Sequence, residues 1–303
     1  MNIGLIDIDS KIPNLALMKI STYHKAKGDE VKFYDPLFDK PGLLYASKIF
    51  DFTPGFNYFP DGVPVIKGGT GCDLKIKLPE EIENIRNPDY SLYPKHDHSL
   101  QMFSRGCIRN CPFCVVRQKE GYIHPIEPLG LNPKGTYIQV MDNNFFANPE
   151  WKMAAEQLLI WDQPVDFQGV DVRILTDEHA HYLNKIKRSK QIHMAWDNPK
   201  NNLVPKFQEA IKWIKPYKLM CYVLIGYWST PAEDLYRVEM LRSLKIDPFA
   251  MPFDKHDKYQ RNFARWVEHK AVFKTVPWWE YNNGILKNWI KLKPEPDSWR
   301  DVA

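Results

Sequence analysis

Between residues 100 and 275, short apolar runs rich in β-branched side chains alternate with stretches whose apolar positions recur at helical spacing. This is the pattern of repeated β/α units around a parallel sheet. Six strands are predicted, over 100–103, 136–141, 165–174, 191–196, 219–225 and 248–253, each followed by a helical stretch. Helix starts are signalled at Asn148-Pro149-Glu150, Thr176-Asp177-Glu178 and Thr230-Pro231-Ala232-Glu233, where a capping side chain precedes Pro or early carboxylates. Upstream, 3–8, 31–34, 44–50 and 65–67 read as strands and 14–27 as a helix, about half of a doubly wound domain. The Pro-rich polar stretch 87–98 reads as a linker. The expected organisation is therefore a small α/β domain over 1–95, a β/α core over 96–275 and an aromatic, basic tail or lid over 276–303.

Charge alters this picture little. The 303 residues carry a formal net charge of +4, which permits an anionic partner without requiring one. No apolar run approaches the roughly 20 residues of a membrane span, and Met1 leads directly into a strand pattern, so no membrane contact and a cytoplasmic location are expected. The five cysteines are an odd number for a disulfide framework, and crowding three of them into one short segment favours a reducing compartment and metal ligation.

That segment is Ser104-Arg105-Gly106-Cys107-Ile108-Arg109-Asn110-Cys111-Pro112-Phe113-Cys114, a C-x3-C-x2-C motif in the loop after the first core strand. Three soft, anionic thiolates can hold three irons of a cubane and leave the fourth iron open to a substrate. A structural zinc site would call for a fourth Cys or His at short spacing; Cys72 and Cys221 lie far away along the chain and His124 stands alone. Two remaining cysteines are too few for a second cubane. Cys221 sits in an apolar strand and reads as core. Cys72 follows Gly68-Gly69-Thr70-Gly71, a loop that could approach a phosphate. His96, His98, His179 and His181 have spacings that suit exposed faces.

The motif, with an aromatic residue before its last cysteine and six β/α units around it, resembles the radical S-adenosylmethionine (SAM) superfamily. The resemblance spans about residues 100–274. It implies a partial (β/α)6 TIM-like barrel preceded by a truncated doubly wound α/β domain. It also implies a [4Fe-4S] cluster on Cys107, Cys111 and Cys114 that cleaves SAM reductively to a 5′-deoxyadenosyl radical for C–H activation, ending in methylation, rearrangement or C–C bond change. On the family pattern Phe113 lies near the adenine. Met141-Asp142-Asn143-Asn144-Phe145 stands where many members hold the methionine amino group, which points to Asp142 and then Asn144. Arg173 would suit the SAM carboxylate and Asp197 the ribose hydroxyls, with an ion pair or a helix start at Asp197-Asn198-Pro199 as the alternative. Val223-Leu224-Ile225-Gly226 resembles the fifth-strand motif near adenine. A reducing electron donor of the flavodoxin or ferredoxin kind is implied as partner.

Residues 1–95 are similar to a shortened cobalamin-binding domain. They lack the Asp-x-His-x-x-Gly run, and their shortness weighs against bound cobalamin. The tail over 261–300 interleaves basic and aromatic residues, which suits either a packed lid or a nucleic-acid surface. The alternative from another class is a non-catalytic zinc or iron-sulfur module that serves as a nucleic-acid or protein platform.

Overall fold

A computed structural model describes residues 1–281 and shows a mixed α/β chain with parallel sheets. It divides into two compact units, and the division falls between Val165 and Asp166.

In the first unit, β1 (Asn2–Asp7), β2 (Glu30–Phe33), β3 (Leu43–Ser47) and β4 (Val65–Gly68) form a parallel sheet of order β2-β1-β3-β4. Helix α1 (Leu15–Ala26) starts where the Asn14 side chain accepts the Leu17 N–H at 3.3 Å, satisfying one of the orphan donors of a helix N-terminus. It packs Leu17 and Ile20 against Ile3, Leu5 and Val31, together with Ile82 of α2 (Glu80–Glu83). Each such buried aliphatic chain contributes about 1.5–3 kcal/mol. Ile6, Leu44 and Ala46 form a second cluster, covered by Phe56, Phe59 and Val63 of a loop rather than by a helix. The strand predicted over 44–50 stops at Ser47 because the Asp9 carboxylate takes the N–H groups of Ile49 and Phe50, at 2.7 and 2.9 Å.

Residues 87–98 are not a loose linker. Asp89 accepts from Ser21 Oγ at 2.6 Å and from Lys25 Nζ at 2.7 Å. Tyr93 donates to Asp7 Oδ2 at 2.6 Å, and the Tyr90 hydroxyl accepts the Leu100 N–H at 3.0 Å. The polar composition that suggested a linker is thus spent on hydrogen bonds to α1, β1 and the next strand.

The first unit continues through β5 (His98–Gln101), β6 (Ser104–Arg105), α3 (Val116–Glu120), β7 (His124–Pro125), β8 (Tyr137–Val140) and α4 (Trp151–Trp161), and the division falls after the first residue of β9 (Val165–Phe167). Strands β5 and β8 pair in parallel, in a sheet of order β5-β8-β9, while β6 and β7 form an antiparallel pair. The strand predicted over 165–174 ends at Phe167: the Asp171 carboxylate accepts the Arg173 N–H at 3.0 Å and opens a 3-10 turn at Val172–Ile174, a local bond that competes with the ladder.

In the second unit, α5 (Asp177–Lys185), β10 (Ile192–Ala195), α6 (Val204–Trp213), β11 (Leu219–Ile225), α7 (Pro231–Ser243) and β12 (Asp247–Pro252) alternate, followed by α8 (Lys258–Glu268) and α9 (Lys270–Thr275). The sheet is parallel, of order β10-β11-β12. Along β11, Leu219, Cys221, Val223 and Ile225 are buried and alternate with half-buried Met220, Tyr222 and Leu224, the period of a strand with one packed face. Capping boxes at Thr176 and Thr230 start α5 and α7 where expected. Asp197-Asn198-Pro199 starts no helix: Asn198 accepts the Lys200 N–H in a local turn, and α6 begins at Val204.

In the described part of the tail, Trp278 is 8% exposed and packs on Phe263 and Trp266 with ring centroids 5.0 and 5.3 Å apart, so these aromatics are core. Trp289 and Trp299, with the rest of the tail, lie outside the described residues. Among the described residues no helix is long and apolar enough to cross a membrane.

Candidate metal centre

The cysteine loop is held by what surrounds it. Gly106 turns the chain at φ +79°, and a Cβ there would meet the Tyr122 carbonyl oxygen at 2.5 Å, so only glycine enters the loop this way. Cys107 then donates its N–H to Gly121 O at 3.4 Å and accepts Arg117 Nη1 on its carbonyl at 3.1 Å. Cys114 donates its N–H to Cys111 O at 2.9 Å, a tight turn closing the motif, and α3 follows. All three cysteines and Phe113 are half-buried. The Arg109 N–H lies 3.4 Å from Cys107 Sγ, a donor aimed at the sulfur. The structure places the three thiols on one loop; among the described residues no group of three or more His, Cys, Asp or Glu side chains is arranged to hold a metal ion.

Asp142, at the end of β8, is 2% exposed. Its Oδ2 accepts the Phe103 N–H at 2.9 Å and its Oδ1 accepts Ser104 Oγ at 2.7 Å. Burial pushes this carboxyl up to about 6, against the lowering effect of those hydrogen bonds. Asn144 is buried and opens the 3-10 turn Phe145–Ala147. Asn143 between them is exposed and donates Nδ2 to Gly106 O at 3.3 Å and to Glu120 Oε2 at 3.2 Å. Asn148 donates to Phe103 O at 3.0 Å. The segment after β8 therefore clamps the strand-to-loop junction that carries the cysteines.

The second unit holds Arg173, Asp197 and Gly226. Arg173 Nε donates to Asp171 Oδ1 at 2.6 Å. Burial pushes the Asp197 carboxyl up, opposed by the Leu224 backbone and by the Arg237 and Arg173 guanidinium groups, so Arg173 and Asp197 lie within electrostatic reach of each other. Gly226 has φ +80°, and a Cβ there would fall inside the Gln260 side chain; its close approach is to Gln260, itself 7% exposed.

No family model matches the chain, and no curated protein matches it.

Sequence reasoning missed Arg237 and Asp234, both 0% exposed. Arg237 donates to the carbonyls of Trp196 at 2.7 Å, Asp197 at 3.0 Å and Leu224 at 2.9 Å, and to Asp234 Oδ1 at 2.7 Å. Tyr259 donates to Asp234 Oδ2 at 3.0 Å. This network ties the ends of β10 and β11 together beside Asp197. In sequence, Asp234 and Arg237 look like an ordinary surface pair at i, i+3 spacing. His98 and His179, expected on exposed faces, are buried: His98 stacks on Tyr137 with centroids 5.1 Å apart, and His179 Nδ1 accepts the Thr176 N–H at 3.3 Å.

The Gly68–Gly71 loop spends its backbone groups inside the protein. Gly71 donates to Lys48 O, Cys72 to Gly69 O, and Lys48 to Gly68 O, each at 3.0 Å. At the carboxyl ends of β1 and β3, Asn14 donates to Ser10 Oγ at 3.0 Å and to Ser47 Oγ at 2.9 Å, and Asp7 accepts the Ser10 N–H at 3.1 Å and the Tyr93 hydroxyl. These bonds lie at the carboxyl ends of the strands, the edge at which an open α/β sheet receives ligands.

Proposed function

We propose that this protein is a radical SAM enzyme in which Cys107, Cys111 and Cys114 hold a [4Fe-4S] cluster. The observation that carries the reading is one loop, entered through a glycine turn, that presents three half-buried thiols between the first core strand and α3. The donor set is soft and anionic, which suits iron and sulfide. When held there, the cluster's chemistry is delivery of one electron to SAM, splitting its S–C5′ bond.

This chain's own residues have separate tasks. Asp142, Asn143 and Asn148 fix the junction before Cys107. With both carboxylate oxygens bonded to Phe103 and Ser104, Asp142 orients the loop, and on the family pattern Asp142 or Asn144 would meet the methionine amino group. On the family resemblance, Arg173 would supply a cation for the SAM carboxylate, Asp197 a hydrogen-bond acceptor for the ribose, and Phe113 and Gly226 would serve the adenine. The six β/α units would form a partial (β/α)6 barrel after a truncated doubly wound domain, whose shortness weighs against cobalamin. A cytoplasmic location and a flavodoxin- or ferredoxin-like reductant belong to the same reading. The nucleic-acid expectation draws support from one face of α8, where Lys258, Arg261 and Arg265 are exposed.

The deciding experiment is anaerobic reconstitution with iron and sulfide, then dithionite reduction with SAM, assaying 5′-deoxyadenosine. The nucleoside is expected from the wild type and not from Cys107→Ala, Cys111→Ala or Cys114→Ala. A colourless protein that binds zinc instead would favour the non-catalytic platform.

A further inference from the structure

We propose that Glu120 is a positioning residue for the candidate metal centre: with Asn143 it forms a latch that fixes Gly106, and through it Cys107, at the start of the cysteine loop. The inference rests on the three cysteines being the cluster ligands.

Glu120 Oε2 accepts the Gly106 N–H at 2.9 Å and Asn143 Nδ2 at 3.2 Å, while Oε1 pairs with Arg105 Nη2 at 3.0 Å. Asn143 Nδ2 also donates to Gly106 O at 3.3 Å. Both backbone polar groups of Gly106 are thus taken by side chains from two separate elements, the end of α3 and the segment after β8. The residue they grip is the one whose positive φ turns the chain into Cys107.

Helix preference does not account for Glu120. It is the last residue of α3, the end where a helix dipole disfavours a carboxylate. Its side chain is 17% exposed, so its bonds to Arg105, Gly106 and Asn143 are screened less than those of a surface pair. The position makes sense as a latch. Groups that orient metal ligands in this way matter to affinity although they never touch the metal.

Two measurements on the full chain test this. In metal-free protein, Cys107 alkylation by iodoacetamide, followed by mass spectrometry, is expected to be several-fold faster in Glu120→Ala than in wild type, with Cys72 unchanged as the internal control. Glu120→Gln keeps an oxygen for the Gly106 N–H and is expected to lie near the wild type. After loading with iron and sulfide, iron release to a chelator is expected to be about 10- to 100-fold faster in Glu120→Ala. Unchanged alkylation and unchanged release would overturn the latch. If Glu120→Ala does not fold, exposed Asn143→Ala carries the same test, with the same direction expected. A wild type that takes up no cluster would sink the radical SAM reading, while the alkylation comparison would still decide on the latch.

Discussion

Ser104 donates its hydroxyl to Asp142 Oδ1 at 2.7 Å, and this single bond joins two segments 38 residues apart in sequence, the turn leading to the cysteines and the end of the next parallel strand. Asp142 is thereby a carboxylate kept out of water, with a measurable consequence.

The unfolded chain releases the Asp142 proton near 3.8, whereas the native protein holds it to about 6. Between these values the native state binds more protons, so the contribution of this group is full below pH 3.8 and is lost as pH rises to about 6. Urea unfolding of wild type and Asp142→Asn from pH 3.5 to pH 7 is expected to show the wild type losing about 3 kcal/mol relative to the variant, then a plateau. A pH-independent difference would contradict the buried charge.

Cys221 is fully buried, and burial pushes its thiol well above the usual range. Iodoacetamide is expected to label exposed Cys72 in the native protein and Cys221 only in denaturant. Peptide mapping distinguishes the two, and rapid native labelling of Cys221 would refute its burial.

Arg237 and Asp234 form a pair with no exposed surface. Arg237→Ala strands the Asp234 carboxylate and is expected to cost about 3–5 kcal/mol. Tyr259→Phe removes one hydrogen bond from the same network and is expected to cost about 1 kcal/mol. Thermal melts that place the two variants together would argue against a desolvated pair.

Gly106→Ala places a methyl against the Gly121 and Tyr122 carbonyls at a backbone angle that alanine disfavours. A stability loss of about 1–3 kcal/mol is expected, together with failure to retain iron after reconstitution. Normal iron content in this variant would show that the glycine turn does not shape the loop.

Much of the architecture was legible in the sequence. The β11 strand and the α5 and α7 starts fall where alternation and capping signals put them, because period and caps are local properties of consecutive residues. The cysteine spacing was equally local. The strand predicted over 165–174 forms but ends at Phe167, because an Asp171 carboxylate takes a backbone N–H that hydropathy alone would give to the ladder.

The sequence by itself determined the β11 strand, the starts of α5 and α7 and which thiols share a loop, since each depends on neighbours in the chain. Only the tertiary structure decided that Asp142 is buried and spent on Phe103 and Ser104, that Glu120 and Asn143 grip Gly106, and that Arg237 binds three carbonyls from two strand ends. Each of these is a polar side chain paired with a partner distant in sequence. Its role is set by desolvation and by where the fold brings an unpaired backbone group, and neither is written in residue type or spacing.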